Sequence, residues 1–150
     1  LDTHKGIAVD SRPYSTFETS DFLPFAKGIS AGAESILVSH NMVQCMESGV
    51  PASLSPVVHS VLRNSLHFTG VIMTDDLSMD GVVDYAKNTA GTNPAVQAVL
   101  AGNDLLLLTN YGDGYSAVMA AAENGTIPKE LIDRAVFRIL AWKYAKGLLT

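Results

Sequence analysis

Three short apolar runs, Ser35–His40, Gly70–Thr74 and Asp104–Thr109, recur every 34 to 35 residues, and each is followed by a stretch of helical character. Runs this short, rich in Val, Ile and Leu and bounded by turn residues, read as strands rather than buried helices. A continuous apolar run without alternation marks a strand covered on both faces, as in parallel sheets. Strand plus crossover helix at this spacing is a parallel βα array, so an α/β protein is expected. Two architectures fit three such units. One is a small open three-layer sheet. The other is the closing portion of a TIM-like (β/α)8 barrel, which typically needs about 250 residues. Spacing alone leaves both open.

The remaining segments follow from local signals. Leu1–Pro13 is polar and turn-rich and is expected to be a loop. Ser15–Ala31 has a loose apolar face (Phe17, Phe22, Phe25, Ile29) with Pro24 to kink or restart the helix and Gly32 to stop it. Asn41–Ser53 is expected to be irregular. Ser55-Pro56 opens a helix to about Leu66, with Val57, Val58, Val61 and Leu62 inward. Short helices are expected near Met79–Ala86 and Pro94–Ala101. Two more close the chain, about Gly114–Glu123 and Pro128–Lys146, the last with Ile132, Val136, Ile139 and Leu140 at helical spacing.

Every expected strand ends in polar residues: His40-Asn41, Asp75-Asp76 and Thr109-Asn110. Parallel strands bring those ends to one rim, the place where parallel α/β folds carry their chemistry. The competing reading is that strand ends are polar because loops are solvated, with Asp76 or Ser78 simply capping the next helix. A second constellation lies at Asp2 and His4. In an extended segment residues two apart point the same way, so the carboxylate can fix the tautomer of the imidazole and stabilise its charged form. Such a pair is suited to general acid/base work near neutral pH; an ordinary surface pair is the plain alternative. His40 is a candidate for touching substrate or for a hydrogen-bonded positioning role, and His59 and His67 read as surface.

Composition removes several function classes. With 47% hydrophobic and 17% charged residues the chain can bury one sizeable core. A net charge of −5 without a basic run argues against nucleic acid. The lone Cys45 excludes an internal disulfide, and no metal-type Cys/His cluster exists. No apolar run approaches the roughly 20 residues that cross a bilayer, and no signal-like stretch tells the compartment.

The segments Asp2-Thr3-His4-Lys5-Gly6, Leu23-Pro24-Phe25, Ala31-Gly32-Ala33, Ile36-Leu37-Val38-Ser39-His40, Pro51-Ala52-Ser53, Gly70 to Met79, Ala98 to Leu108 and Arg138-Ile139-Leu140 follow one another in a telling order. Together they resemble the later part of the barrel domain of glycoside hydrolase family 3, in its bacterial β-N-acetylglucosaminidase branch. Thr-Asp-Asp-Leu-Ser-Met is the most specific segment, and Thr3 stands where Ser is commoner in the Asp-x-His pair. The resemblance implies a TIM-like barrel rather than the small open sheet. It implies Asp75 as nucleophile, His4 as general acid/base and Asp2 as the residue that orients it, with Asp76 structural. The implied substrate is a glycan ending in N-acetylglucosamine, of the cell-wall type, with no cofactor. The family's Lys-His-Phe-Pro-Gly-His-Gly segment and its earlier sugar-holding loops are not among these 150 residues. The chain is therefore expected to form one incomplete barrel domain over residues 1–150, needing the N-terminal half or self-association to be active.

Overall fold

The computed structural model describes residues 6–149, the side chains of residues 89 and 90 aside. Strand and helix alternate along it: β1 (Val9–Asp10), α1 (Tyr14–Thr16), α2 (Phe22–Ser30), β2 (Ser35–Val38), β3 (Met42–Val43), α3 (Pro56–Ser60), β4 (Val71–Asp76), α4 (Asp80–Tyr85), α5 (Pro94–Ala101), β5 (Leu105–Leu107), α6 (Tyr111–Glu123) and α7 (Lys129–Ala145). π-helical turns join α1 to α2 (Phe17–Asp21) and extend α3 (Val61–Ser65) and α4 (Ala86–Ala90). The first of these answers Pro24. A proline has no N–H and its ring presses on the carbonyl four residues back, and the wider turn, closed by the Phe22 N–H on the Phe17 carbonyl, lies directly upstream. Ser55 caps α3 by accepting the Val58 N–H at 3.0 Å, with Pro56 at the first helical position.

The expected parallel array is present. β2, β4 and β5 form one parallel sheet in the order β2-β4-β5, with Ser35 opposite Val71 and Val38 opposite Thr74. The expected loop and irregular segment are corrected. Val9–Asp10 and Met42–Val43 pair in parallel as a second small sheet, because two-residue strands are too short to show a period. The strand limits also shift. β2 stops at Val38, so His40 lies just past it, whereas β4 runs on through Asp75 and Asp76. α6 begins at Tyr111, three residues earlier than expected.

The core lies on the helical side of the sheet. Ile36, Val38 and Ile72 pack with Leu62 and Phe68, while Leu54, Leu77 and Val82 meet Ala95 and Ala98 of α5. Only the central strand approaches two-sided burial. Leu37 on β2 is 49% exposed and Leu107 on β5 is 37% exposed, because no second layer covers that face among the described residues. Val57, expected inward, is exposed, and so are Val136 and Leu140 on α7, which carries no fully buried residue. His59, expected at the surface, is buried. Its Nδ1 donates to the Ser55 carbonyl at 2.8 Å, as a carbonyl can only accept.

Candidate active site

β4 ends at the rim with a one-residue irregularity. Met73 faces Leu105 and Asp76 faces Leu107, so two residues of β4, Thr74 and Asp75, span the place where β5 has only Leu106. That is a β-bulge, a device that bends a strand locally and re-aims a side chain. Thr74 is fully buried and its Oγ1 accepts the Leu107 N–H at 3.1 Å. The ladder resumes one step on, where the Leu77 N–H donates to the Leu107 carbonyl at 3.0 Å.

The two acids of the pair part at this point. Asp75 lines a cavity of about 150 Å³ together with Gly6, Ile7, Ala8, Ser39, His40, Asn41 and Met79. Its Oδ1 accepts the Asp76 N–H at 2.8 Å. Asp76 instead joins loops. Its Oδ1 accepts the Ser78 N–H at 2.8 Å and the Thr109 N–H at 3.3 Å, and its Oδ2 accepts the Thr109 hydroxyl. Burial works against its charged form, yet the hydrogen bonds from Thr109 and Ser78 together hold its carboxyl below the usual carboxylate range. The capping alternative is thereby corrected. α4 has Met79 at its N-cap with no side-chain bond, and Asp76 makes a turn to Ser78 rather than a cap.

His40 is 6% exposed and both ring nitrogens are engaged: Nδ1 with the Ser53 hydroxyl at 2.7 Å and Nε2 with the Asp76 carbonyl at 3.0 Å. Burial pushes its pKa below the ordinary imidazole value, against the pull of the Asp76 carbonyl and of the Asp75 and Asp76 charges. The neutral ring therefore holds at neutral pH. Its hydrogen bonds fix the ring on the wall of the cavity that Asp75 also lines.

Of the rim residues expected to converge, the structure brings His40, Asn41 and Asp75 into one cavity and ties Thr109 to Asp76. Asn110 is apart, in a larger cleft of about 640 Å³ with Ser78, Lys87 and Asp113. Asp2 and His4 lie outside the described residues. The segment that follows them passes close to α4: a Cβ on Gly81 would stand 2.9 Å from Ile7 Cγ1 and 3.2 Å from the Gly6 carbonyl carbon, so only glycine admits the chain there. Among the described residues no three His, Cys, Asp or Glu side chains are grouped to hold a metal ion. Sequence reasoning passed over Thr74 and Ser53. A lone hydroxyl inside an apolar run was the available signal for Thr74, since a buried polar group needs a partner.

Residues 1–142 match the model of the glycosyl hydrolase family 3 N-terminal domain. A β-hexosaminidase of Xylella fastidiosa (strain M12) is 32% identical over 145 residues, which is 94% of this chain and 41% of the relative. A β-hexosaminidase of Nitrosomonas eutropha is 31% identical over 122 residues, 81% of this chain and 34% of the relative. The chain thus spans less than half the length of these curated relatives. Among solved structures, a glycoside hydrolase family 3 β-N-acetylglucosaminidase from Paenibacillus sp. str. FPU-7 superposes with a TM-score of 0.87 at 31% identity, over 98% of this chain and 28% of that one. CbsA from Thermotoga neapolitana superposes with a TM-score of 0.86 at 21% identity, over 97% of this chain and 34% of that one, and shares the fold.

Proposed function

This chain belongs to glycoside hydrolase family 3, and we propose that the full-length protein is a retaining β-N-acetylglucosaminidase that releases terminal N-acetylglucosamine from cell-wall-type glycans. The observation that carries the reading is Asp75 at the carboxyl end of the central strand, on the wall of a cavity it shares with Gly6, Ile7 and Ala8. Gly6 follows the Asp2-Thr3-His4 segment in the chain, and the family pattern of that segment supports His4 as the acid/base. Asp75 and the His4 imidazole then act on one sugar.

In the first step the Asp75 carboxylate attacks the anomeric carbon while the His4 imidazolium gives its proton to the departing glycosidic oxygen. The carbon–oxygen bond breaks and a glycosyl ester forms on Asp75. In the second step neutral His4 takes a proton from water, which attacks the same carbon and frees Asp75, so the configuration is retained. Asp2 orients His4 and stabilises its charged form. The decisive assay is turnover of an aryl N-acetylglucosaminide by Asp75→Asn in the full-length protein. Loss is expected, and turnover near the unmutated level would remove Asp75 from the role. His4→Ala should harm substrates with poor leaving groups far more than activated ones, because only the former need protonation.

The relatives named β-hexosaminidase support the sugar class. We further propose that the 150 residues form the later part of one barrel domain. β2 and β5 have no further strand beside them among the described residues, and the face holding Leu37 and Leu107 is open. Such edges favour pairing with another segment, so these residues alone are expected to be inactive. Size-exclusion mass with an activity assay, before and after adding the front part of the protein, tests this.

A further inference from the structure

In a regular parallel ladder successive residues of β4 would bond in turn to β2 and to β5. That alternation stops at Asp75: towards β5 the extra residue interrupts it, and towards β2 the partner strand has ended at Val38. Towards β5, the Leu107 N–H is left facing a side chain, and Thr74 Oγ1 accepts it at 3.1 Å. Towards β2, pairing ends where Val38 faces Thr74, and the Asp76 carbonyl beyond it meets His40 Nε2 at 3.0 Å. We propose that Thr74 and His40 are positioning residues that stand in for the lost ladder bonds on either side of Asp75 and so fix the direction of its carboxylate. The proposal rests on the reading of Asp75 as the nucleophile.

The hydrogen-bond directions support it. A carbonyl only accepts, so His40 Nε2 carries the proton and Nδ1 is the acceptor. Ser53 supplies the matching donor at 2.7 Å. Ser53 is itself held, since its N–H donates to the Ser39 carbonyl at 3.1 Å and its carbonyl accepts Asn103 Nδ2 at 2.7 Å. The tautomer of His40 is thus set by a fully buried serine anchored to two further elements. Burial that keeps the ring neutral leaves Nδ1 free to accept. Neither Thr74 nor His40 needs to touch sugar for this role.

The test uses the full-length protein, an aryl N-acetylglucosaminide, and rates expressed per folded molecule with thermal midpoints measured alongside. Thr74→Val keeps the shape and removes the acceptor. It is expected to lower kcat by about 10²-fold, the scale of an ångström-size misplacement, with little change in KM. Thr74→Ser should restore most of that loss. His40→Gln can still donate near the Nε2 position, whereas His40→Asn reaches only the Ser53 side, so the first should retain most of kcat and the second lose it. Equal kcat for Val and Ser at Thr74, or for Asn and Gln at His40, would overturn the inference. So would a rise in KM with kcat unchanged, which marks substrate contact instead. Should Thr74→Val fail to fold, the His40 pair decides by the same criterion. An active Asp75→Asn would sink the nucleophile reading whatever these variants do. An inactive Asp75→Asn beside fully active Thr74→Val and His40→Asn would sink this inference alone.

Discussion

Asp104 and Asp75 stand at opposite ends of the same three-stranded sheet. Asp104, at the amino end of β5, is saturated. One oxygen takes Arg63 Nη2 at 2.6 Å and the Ile72 N–H at 2.9 Å, the other takes Arg138 Nη1 at 2.8 Å, and the side chain is 2% exposed. Arg63 reaches on to the carbonyls of Phe68 and Gly70 at 3.0 and 2.7 Å. Asp75, at the carboxyl end of β4, is half-buried on a cavity wall, its Oδ1 taking the Asp76 N–H at 2.8 Å while the bonds of Thr74 and of the Asp76 carbonyl hold the chain on either side. One carboxylate is spent on holding the sheet together and the other lies on the wall of a cavity. Parallel α/β folds divide labour in this way, with stability at the amino ends of the strands and chemistry at the carboxyl ends.

The contrast breaks first on activity. Asp75→Asn in the full-length protein should cost about 10³-fold or more in kcat, as loss of a nucleophile does, while leaving the thermal midpoint nearly unmoved. Next comes Asp104→Ala, which strands two arginines and is expected to destabilise by about 3–5 kcal/mol in chemical denaturation, with kcat per folded molecule preserved. If Asp104→Ala instead lost turnover at unchanged stability, the division between the two ends would fail. Gly70→Ala probes the amino end by packing alone. A Cβ there would lie 2.3 Å from the Glu34 carbonyl oxygen and 2.7 Å from Phe68 Cζ, so a loss of about 1–3 kcal/mol is expected, again without effect on the rim.

The smallest effect concerns pH. Burial lowers the folded-state pKa of His40 from its ordinary 6.5, against the opposing pull of Asp75 and Asp76. The unfolded chain then binds more protons in that range, so the contribution is fully present above about pH 6.5 and is lost as pH falls towards the folded value. Denaturation midpoints of the unmutated protein should drop more steeply below pH 6.5 than those of His40→Gln. Parallel curves would show that His40 titrates as it does in the unfolded chain.

The parts of this fold legible in the sequence were those written in consecutive residues. β4 could be found because Val71-Ile72-Met73 is continuous and apolar, and the Asp75-Asp76 pair marked its end. The β1–β3 pair could not, because two residues carry no period. His59 looked like a surface residue on its helix, since nothing local reveals that Gly102 packs against its ring. The ion cluster was hidden for a different reason: Asp104 meets Arg63 and Arg138 from 41 and 34 residues away. The bulge was hidden too, since it exists only when β4 is counted against β5. At the site, Asp75 was named from its place at a strand end and from the family pattern. The devices that hold its peptide, Thr74 on one flank and the His40–Ser53 pair on the other, are tertiary and had no sequence signature beyond a lone hydroxyl and a histidine.

Parity makes the two neighbouring aspartates non-interchangeable. Side chains along a strand alternate between faces, so removing one residue between Met73 and Asp76 would leave a regular ladder in which Asp76 still faces Leu107, and the extra position that carries Asp75 to the cavity would be gone. Thr109 and Ser78 would keep the Asp76 carboxylate that joins the loops after β4 and β5. A frame-preserving deletion in that stretch would therefore spare the acid that ties the loops and remove the one on the cavity wall, because it is the two-residue step opposite Leu106 that gives the neighbours different surroundings.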